Sequence, residues 1–164
     1  MPTGEWCMAR NEIALGQGYY WQDIEAGQRF RTFRRTVTEA DLIGFIGVTG
    51  QTEVIFIDST FNGAIQGRPV PAALSYSLIE GILMQTMLQG TGLALLELHK
   101  SVRGPVLVGD TLEAVVEIDE VRPTSRHNRA VVTSRVFVLN QREETVMEYQ
   151  VKRLLAGRPE RSAG

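Results

Sequence analysis

Residues 72–89 read Ala-Ala-Leu-Ser-Tyr-Ser-Leu-Ile-Glu-Gly-Ile-Leu-Met-Gln-Thr-Met-Leu-Gln, and Glu80 is their one charged residue. Placed on a helix, this stretch is apolar around nearly its whole circumference, so it must be buried on most sides. The rest of the chain has to wrap it. After Gly90-Thr91-Gly92 the hydrophobic period changes to two, which predicts strands over residues 93–102, 111–121, 130–139 and 145–155. Gly104-Pro105, Gly109-Asp110, Pro123 and Asn140-Gln141 punctuate them. Residues 30–37, rich in Thr, Phe and Val, predict a further strand ahead of the helix. The layout is α+β, an antiparallel sheet wrapped around one long central helix. One copy leaves a helix flank and a sheet edge uncovered, which predicts a dimer joined edge to edge.

The remaining segments are shorter. Thr38-Glu39-Ala40-Asp41 has the form of a helix start, with Thr38 as cap and two carboxylates at the positive end of the dipole. Leu42, Ile43, Phe45 and Ile46 continue it as an apolar stripe, ended by Gly47 or Gly50. Asp58-Ser59-Thr60 predicts a second cap, opening a short helix toward Gly63-Ala64. Pro69 and Pro71 mark the approach to the central helix. Residues 1–18 show no sustained period and no continuous apolar run, and are read as an N-terminal arm rather than a secretory signal. Residues 19–156 form one domain, and the apolar-poor tail at 157–164 is expected to be disordered.

The bulk properties close off several functions. A chain of 164 residues holds one core. A net charge of −2 argues against a general nucleic-acid or anionic-membrane surface. No stretch reaches the ~20 apolar residues that span a bilayer, and the single cysteine, Cys7, excludes an intrachain disulfide. No zinc-ligand spacing is present, so no metal is expected, and a cytoplasmic location is the expectation.

Several strings, in order, carry a resemblance. Tyr20-Trp21-Gln22-Asp23-Ile24-Glu25-Ala26-Gly27-Gln28-Arg29-Phe30 opens the domain, and Thr36-Val37-Thr38-Glu39-Ala40-Asp41 leads to the first helix. Gly67-Arg68-Pro69-Val70-Pro71-Ala72-Ala73-Leu74 precedes and starts the central helix. Pro105-Val106-Leu107-Val108-Gly109-Asp110-Thr111-Leu112 and Asn140-Gln141 with Val146-Met147-Glu148 follow. Together they resemble the MaoC-like hot dog hydratases and dehydratases, which add water to 2-enoyl-CoA thioesters. The resemblance covers residues 19–155 and implies a hot dog fold and an acyl-CoA substrate, with no separate cofactor.

Hydration of an enoyl thioester needs a base for water, an acid for the α-carbon, and donors for the thioester oxygen. In the family an Asp after a Thr-Gly and a His five residues beyond supply the acid–base pair. Here Thr49-Gly50 is followed by Gln51, and the His position holds Phe56. Neither side chain can exchange a proton at accessible pH. Glu53 is the titratable newcomer of this loop, a relocated base or a solvated carboxylate. The family's oxygen donors are backbone amides at the start of the central helix, a position held here by Ala72 and Ala73. Tyr76 is placed to reach the acyl tunnel or to satisfy a carbonyl. Asp58 matches a family Asp, and a helix-cap role also explains it.

Glu80 is either a buried acid or the partner of an arginine at the dimer seam. His99, in a strand, and His127, at a hairpin tip, fit structural or solvent-facing roles. Arg31, Arg34, Arg35 and Arg68 are candidates for CoA phosphates or ordinary surface cations.

Three functional readings remain open from the sequence. The first is an acyl-CoA-binding, divergent hydratase or dehydratase without the standard pair, acting as a homodimer or hot dog heterodimer. The second is a non-catalytic subunit that pairs with a dyad-bearing hot dog chain. The third is a thioesterase using Glu53 or Glu80 as general base.

Overall fold

The computed structural model describes residues 15–159. Cys7, most of the expected N-terminal arm and residues 160–164 of the expected tail lie outside the described residues. After a single 3-10 turn at Trp21–Asp23, the elements are β1 (Arg29–Arg31), β2 (Arg35–Thr36), α1 (Glu39–Thr49), α2 (Val54–Ile57) and α3 (Ala72–Gln85). Four long strands follow: β3 (Gly92–Val102), β4 (Thr111–Pro123), β5 (Arg129–Leu139) and β6 (Thr145–Ala156). The sheet runs β1-β4-β5-β6-β3, with β2 also on β4, and all five pairings are antiparallel.

α3 lies against the inner face of this sheet, as its composition requires. Leu74, Leu78, Ile79, Ile82 and Leu83 are buried on it, in one cluster with Val116, Val136, Val138 and Val151. Each such burial is worth about 1.5–3 kcal/mol. Five of them outweigh any capping term, so packing rather than local propensity holds this helix. It ends at Gln85, a turn short of the 72–89 expected. The reason is tertiary: the backbone turns at Thr86, freeing the Met87 and Gln89 carbonyls to accept hydrogen bonds from Tyr19 N (2.9 Å) and Gly18 N (2.8 Å). A side chain at position 18 would meet the Met87 carbonyl at 2.5 Å, so the close approach requires glycine.

Other departures are local. The strand expected over 30–37 is broken into β1 and β2: Ala114 N donates to the Thr32 hydroxyl (2.8 Å), and the pairing with β4 shifts by one residue between Arg31 and Arg35, while Arg31 and Arg34 both reach the Glu113 carboxylate (2.9 and 3.1 Å). The short helix expected to open at Asp58 instead ends there. Asp58 closes α2, and its carboxylate accepts from Thr60 N (2.8 Å) and Thr60 Oγ1 (2.6 Å), a local turn that leaves no cap for a following helix. Of the expected disordered tail, Gly157 and Arg158 are tied down: Gly157 N donates to the Asn128 carbonyl (2.7 Å) and Arg158 N to Gln22 Oε1 (3.1 Å).

The two turn strings singled out in the sequence are bolted to one another. Asp110 follows Gly109 in the left-handed region (φ 94°) and accepts from Leu107 N (2.8 Å) and Gln141 Nε2 (2.7 Å). Gln141 Oε1 in turn accepts from Thr111 N (3.0 Å). Asn140, buried, organises the β5–β6 turn by accepting from Arg142 N (2.9 Å) and Glu144 N (3.1 Å).

β3 is a long edge strand. Leu95 (53% exposed) and Leu96 (52%) stand at a β-bulge, near exposed Leu93 and Met84, and Val102 is exposed at the far end of the strand. A sheet edge of this length carrying this much apolar surface is a template for pairing with another chain.

Candidate functional site

α3 begins beside an apolar cavity of about 240 Å³, lined by Phe56 of α2, Ala72 and Ser75 of α3, and Val102, Val106 and Met147 of the sheet side. Pro69 and Pro71 set the approach. Pro71 occupies the N-cap position and offers no side-chain cap, while the Pro71 carbonyl accepts from Leu74 N (2.9 Å) and Ser75 N (3.3 Å). Among the described residues, the amides of Ala72 and Ala73 have no hydrogen-bond partner. Two uncapped N–H groups at a helix N-terminus attract an oxygen that carries negative charge. The cavity wall is otherwise apolar, so such an oxygen would be held in a low-dielectric setting where each donor counts for more.

Phe56 and Ala72 therefore come together, as neighbours in one cavity wall. Ala73, on the next helical position, is half-buried and its carbonyl accepts from Ser77 Oγ (2.8 Å). Gln51 and Glu53 do not line this cavity. Both are exposed on the stretch between α1 and α2, where Glu53 supplies the backbone N-cap of α2 without a side-chain hydrogen bond. Arg68 holds this stretch in place: Nη1 pairs with Glu39 Oε1 (2.6 Å), Nη2 donates to the Phe56 carbonyl (3.4 Å), and its buried Nε has no partner among the described residues.

Tyr76 belongs to a different cluster, two turns into the helix. Glu80 accepts from both Arg153 (2.6 and 2.7 Å) and the Tyr149 hydroxyl (2.7 Å), and Tyr76 stands edge-on to Tyr149 with ring centroids 5.2 Å apart. Lys100 Nζ lies 4.9 Å from the Tyr76 ring centre. Burial, reinforced by the neighbouring Glu80 carboxylate, raises both tyrosine hydroxyls, Tyr149 far above its usual range. Both stay protonated near neutral pH, and the Tyr149 hydroxyl is spent on Glu80. Glu80 is thus the partner of an arginine, beside the groove formed with Met84, Leu93 and Leu95 at the edge strand.

The remaining candidates are engaged elsewhere. His99 Nε2 lies 2.7 Å from Glu97 Oε1 on the outer sheet face, and Glu97 also pairs with Lys152 (2.5 Å). His127 is exposed at the β4–β5 turn with a left-handed backbone (φ 66°). Arg31 and Arg34 share Glu113, Arg35 pairs with Asp41 (2.6 Å) and Arg68 with Glu39, so each of the four candidate phosphate cations already has a carboxylate partner. An open hollow of about 320 Å³ on the outer face, near His99 and Arg135, is lined by similarly paired charges. Among the described residues no group of three His, Cys, Asp or Glu is arranged to hold a metal ion. No helix among them is long and apolar enough to cross a membrane. Sequence reasoning missed Ser75: a serine on an apolar helix reads as filler, and its orientation depends on the helix register in the fold.

No protein-family model matches the chain. It is similar to the 3-hydroxybutyryl-CoA dehydratase of Methylorubrum extorquens, at 26% identity over 118 residues, covering 71% of this chain and 74% of that protein. It is also similar to the (R)-specific enoyl-CoA hydratase of Rhodospirillum rubrum, at 26% identity over 144 residues, covering 85% of this chain and 96% of that protein. The crystal structure of a MaoC-like dehydratase from Rhodospirillum rubrum superposes with a TM-score of 0.75 at 24% identity, covering 87% of this chain and 100% of that one. The order of the five strings, the sheet wrapped on α3 and these likenesses agree: the chain has the hot dog fold and is similar to the MaoC-like dehydratases.

Proposed function

We propose that the chain binds an acyl thioester of the acyl-CoA type, as a divergent hydratase or dehydratase subunit that lacks the standard acid–base pair. The observation that carries this reading is the meeting of Phe56 and Ala72 in one apolar cavity at an uncapped helix start. The amides of Ala72 and Ala73 are the donors for the thioester oxygen, and the cavity takes the acyl group. At about 30 Å³ per water-sized group, a volume near 240 Å³ holds a short chain. The relatives act, by their names, on 3-hydroxybutyryl-CoA and enoyl-CoA, which supports a CoA ester here.

Chemistry at the β-carbon is the weak point of the site. Gln51 is exposed outside the cavity and could not accept a proton from water, and Phe56, in the cavity wall, donates nothing. Positioned acid–base catalysis is worth about 10²–10⁴-fold, so hydration of crotonyl-CoA should be very slow or absent. The test has two steps: binding of crotonyl-CoA and butyryl-CoA by calorimetry, then hydration by the unmodified protein and by the Gln51→Asp/Phe56→His double variant. Binding together with activity gained in the double variant supports the reading. A folded double variant that binds yet stays inert shows that the amide corner has diverged or that position 51 stays outside the site. Glu53→Gln on any activity of the unmodified protein tests the relocated base.

A second reading, the non-catalytic member of a hot dog pair, is favoured by the apolar edge at β3 and the missing pair. Purification solely with a second hot dog chain supports it. In either case the edge strand is the seam of a homodimer or heterodimer, and a stable monomer in equilibrium sedimentation at micromolar concentration refutes both forms. Thioesterase action has less support, since Glu53 lies outside the cavity and Glu80 is committed to Arg153 and Tyr149.

A further inference from the structure

Ser75 is the one polar side chain in the wall of the cavity beside Phe56 and Ala72. It is 1% exposed, and its hydroxyl has no hydrogen-bond partner among the described residues. Its neighbours on helices behave differently. Ser77 Oγ donates to the Ala73 carbonyl (2.8 Å), Thr86 Oγ1 to the Ile82 carbonyl (2.7 Å), and Thr49 Oγ1 to the Phe45 carbonyl (2.7 Å), each four residues back. Ser75 has the Pro71 carbonyl at that spacing, but that oxygen already accepts two amides, from Leu74 and Ser75. A buried hydroxyl without a partner is uncommon, and it is satisfied either by water or by a ligand; Thr133 Oγ1 on β5 is a second one among the described residues, and of the two it is Ser75 that lines this cavity. Two independent observations thus coincide at one cavity: unpartnered amides at the helix start, where Ala72 lines the wall, and an unpartnered hydroxyl one turn further in.

We propose that Ser75 Oγ is a specificity-determining group that hydrogen-bonds an oxygen carried on the β-carbon of the acyl chain, so that the cavity favours 3-hydroxyacyl thioesters over saturated ones of equal length. This rests on the acyl-thioester reading above. The geometry supplies the position. Residues three apart on a helix share a face, with their Cβ atoms roughly 5–6 Å apart, so Ser75 stands that much deeper than Ala72. With the thioester oxygen on the Ala72 and Ala73 amides, the Ser75 hydroxyl falls near the substituent two carbons beyond the carbonyl. Every other wall residue is apolar or presents no side-chain donor, so a hydroxyl on the chain has Ser75 as its one side-chain partner there. A saturated chain would leave the serine without a partner and gain nothing in exchange. Ser75 neither gives nor takes a proton in this role.

The experiment is calorimetric titration of the full chain with 3-hydroxybutyryl-CoA and with butyryl-CoA, for the unmodified protein, Ser75→Ala and Ser75→Cys. One neutral hydrogen bond to a buried group corresponds to about a tenfold preference for the hydroxylated ester. Ser75→Ala and Ser75→Cys should both erase that preference while leaving butyryl-CoA affinity within about twofold, and the cysteine variant does so at nearly constant packing. Equal binding of the two esters by the unmodified protein overturns the inference and leaves the acyl-thioester reading standing. So does a preference that survives in both variants. Failure to bind either ester removes the acyl-thioester reading and this inference together.

Discussion

Two polar stations on α3 are treated in opposite ways. Two turns in, the Glu80 carboxylate is saturated: Arg153 and the Tyr149 hydroxyl reach it from β6, and the side chains of Glu80 and Arg153 are 13% and 9% exposed. At the helix start, the amides of Ala72 and Ala73 and the Ser75 hydroxyl have no partners among the described residues, although Ala72 and Ser75 lie in an apolar wall. Leaving a buried polar group unpaired costs about 1–3 kcal/mol. The contrast teaches where structure ends and ligand recognition begins. Glu80 finds its partners within the fold, whereas Ser75, kept without one, lines the cavity. The start of α1 makes the same point from the structural side. Thr38 accepts from Asp41 N (3.2 Å), Asp41 accepts from Thr38 N (2.8 Å), and Arg35 closes the set on Asp41.

The largest way to break this comparison is Arg153→Ala. It strands a mostly buried carboxylate, and removing one member of such a pair typically costs about 3–5 kcal/mol. Chemical denaturation should find a loss of that order, and a loss below about 1 kcal/mol would mean that the Glu80 station is not buried in solution. Replacing Glu80 and Arg153 together by methionine should recover most of the stability, since a packed apolar pair is commonly neutral or better.

The second concerns acid. Hydrogen bonding from Arg34, joined by Arg31 and opposed by desolvation, holds the Glu113 carboxyl below its usual range. A carboxylate with a depressed folded-state pKa contributes stability above its unfolded value near 4.5, and loses it as pH falls through the folded value. Glu113→Gln should therefore flatten the acid limb of the stability–pH curve below about pH 4.5. An acid limb unchanged by that substitution would show that the two arginines leave Glu113 when the protein is in solution. A smaller effect belongs to Thr38→Ala, which removes one capped start at about 1 kcal/mol. Thermal unfolding with no change in midpoint would deny the cap its role. The smallest is Ser77→Ala. Ser77 is exposed and already bonded to its own helix, so stability and ester binding should both stay within about 0.5 kcal/mol. A large loss of binding there would blur the distinction drawn between Ser75 and Ser77.

Much of this architecture was legible in the chain. An apolar helix with one charge demanded a wrapping sheet, and the period-two stretches marked the four long strands to within two residues at either end. Thr38-Glu39-Ala40-Asp41 named its own helix start, because capping is settled within four residues. The places where the reading slipped share a cause. The end of α3 is decided by Gly18 and Tyr19, almost seventy residues away in sequence, and the break between β1 and β2 lies where the pairing with β4 shifts register and Ala114 N turns to the Thr32 hydroxyl. Asp58 closes a helix rather than opening one because its carboxylate turns to Thr60.

The candidate site divides along the same line. The sequence by itself determined the chemistry available: that Gln51 and Phe56 cannot exchange protons, that Pro71 cannot cap α3, and that Ala72 and Ala73 leave their amides approachable. Those properties belong to the residue and its immediate neighbours. Tertiary structure alone decided which groups meet. It set Phe56 against Ala72, left Gln51 and Glu53 at the surface, gave Glu80 to Arg153 and Tyr149, and turned Ser75 into the cavity while Ser77 faced outward. Two serines two residues apart on one helix differ by about 200° around its axis. Which of them faces the cavity depends on where the sheet lies, and that is fixed by long-range packing.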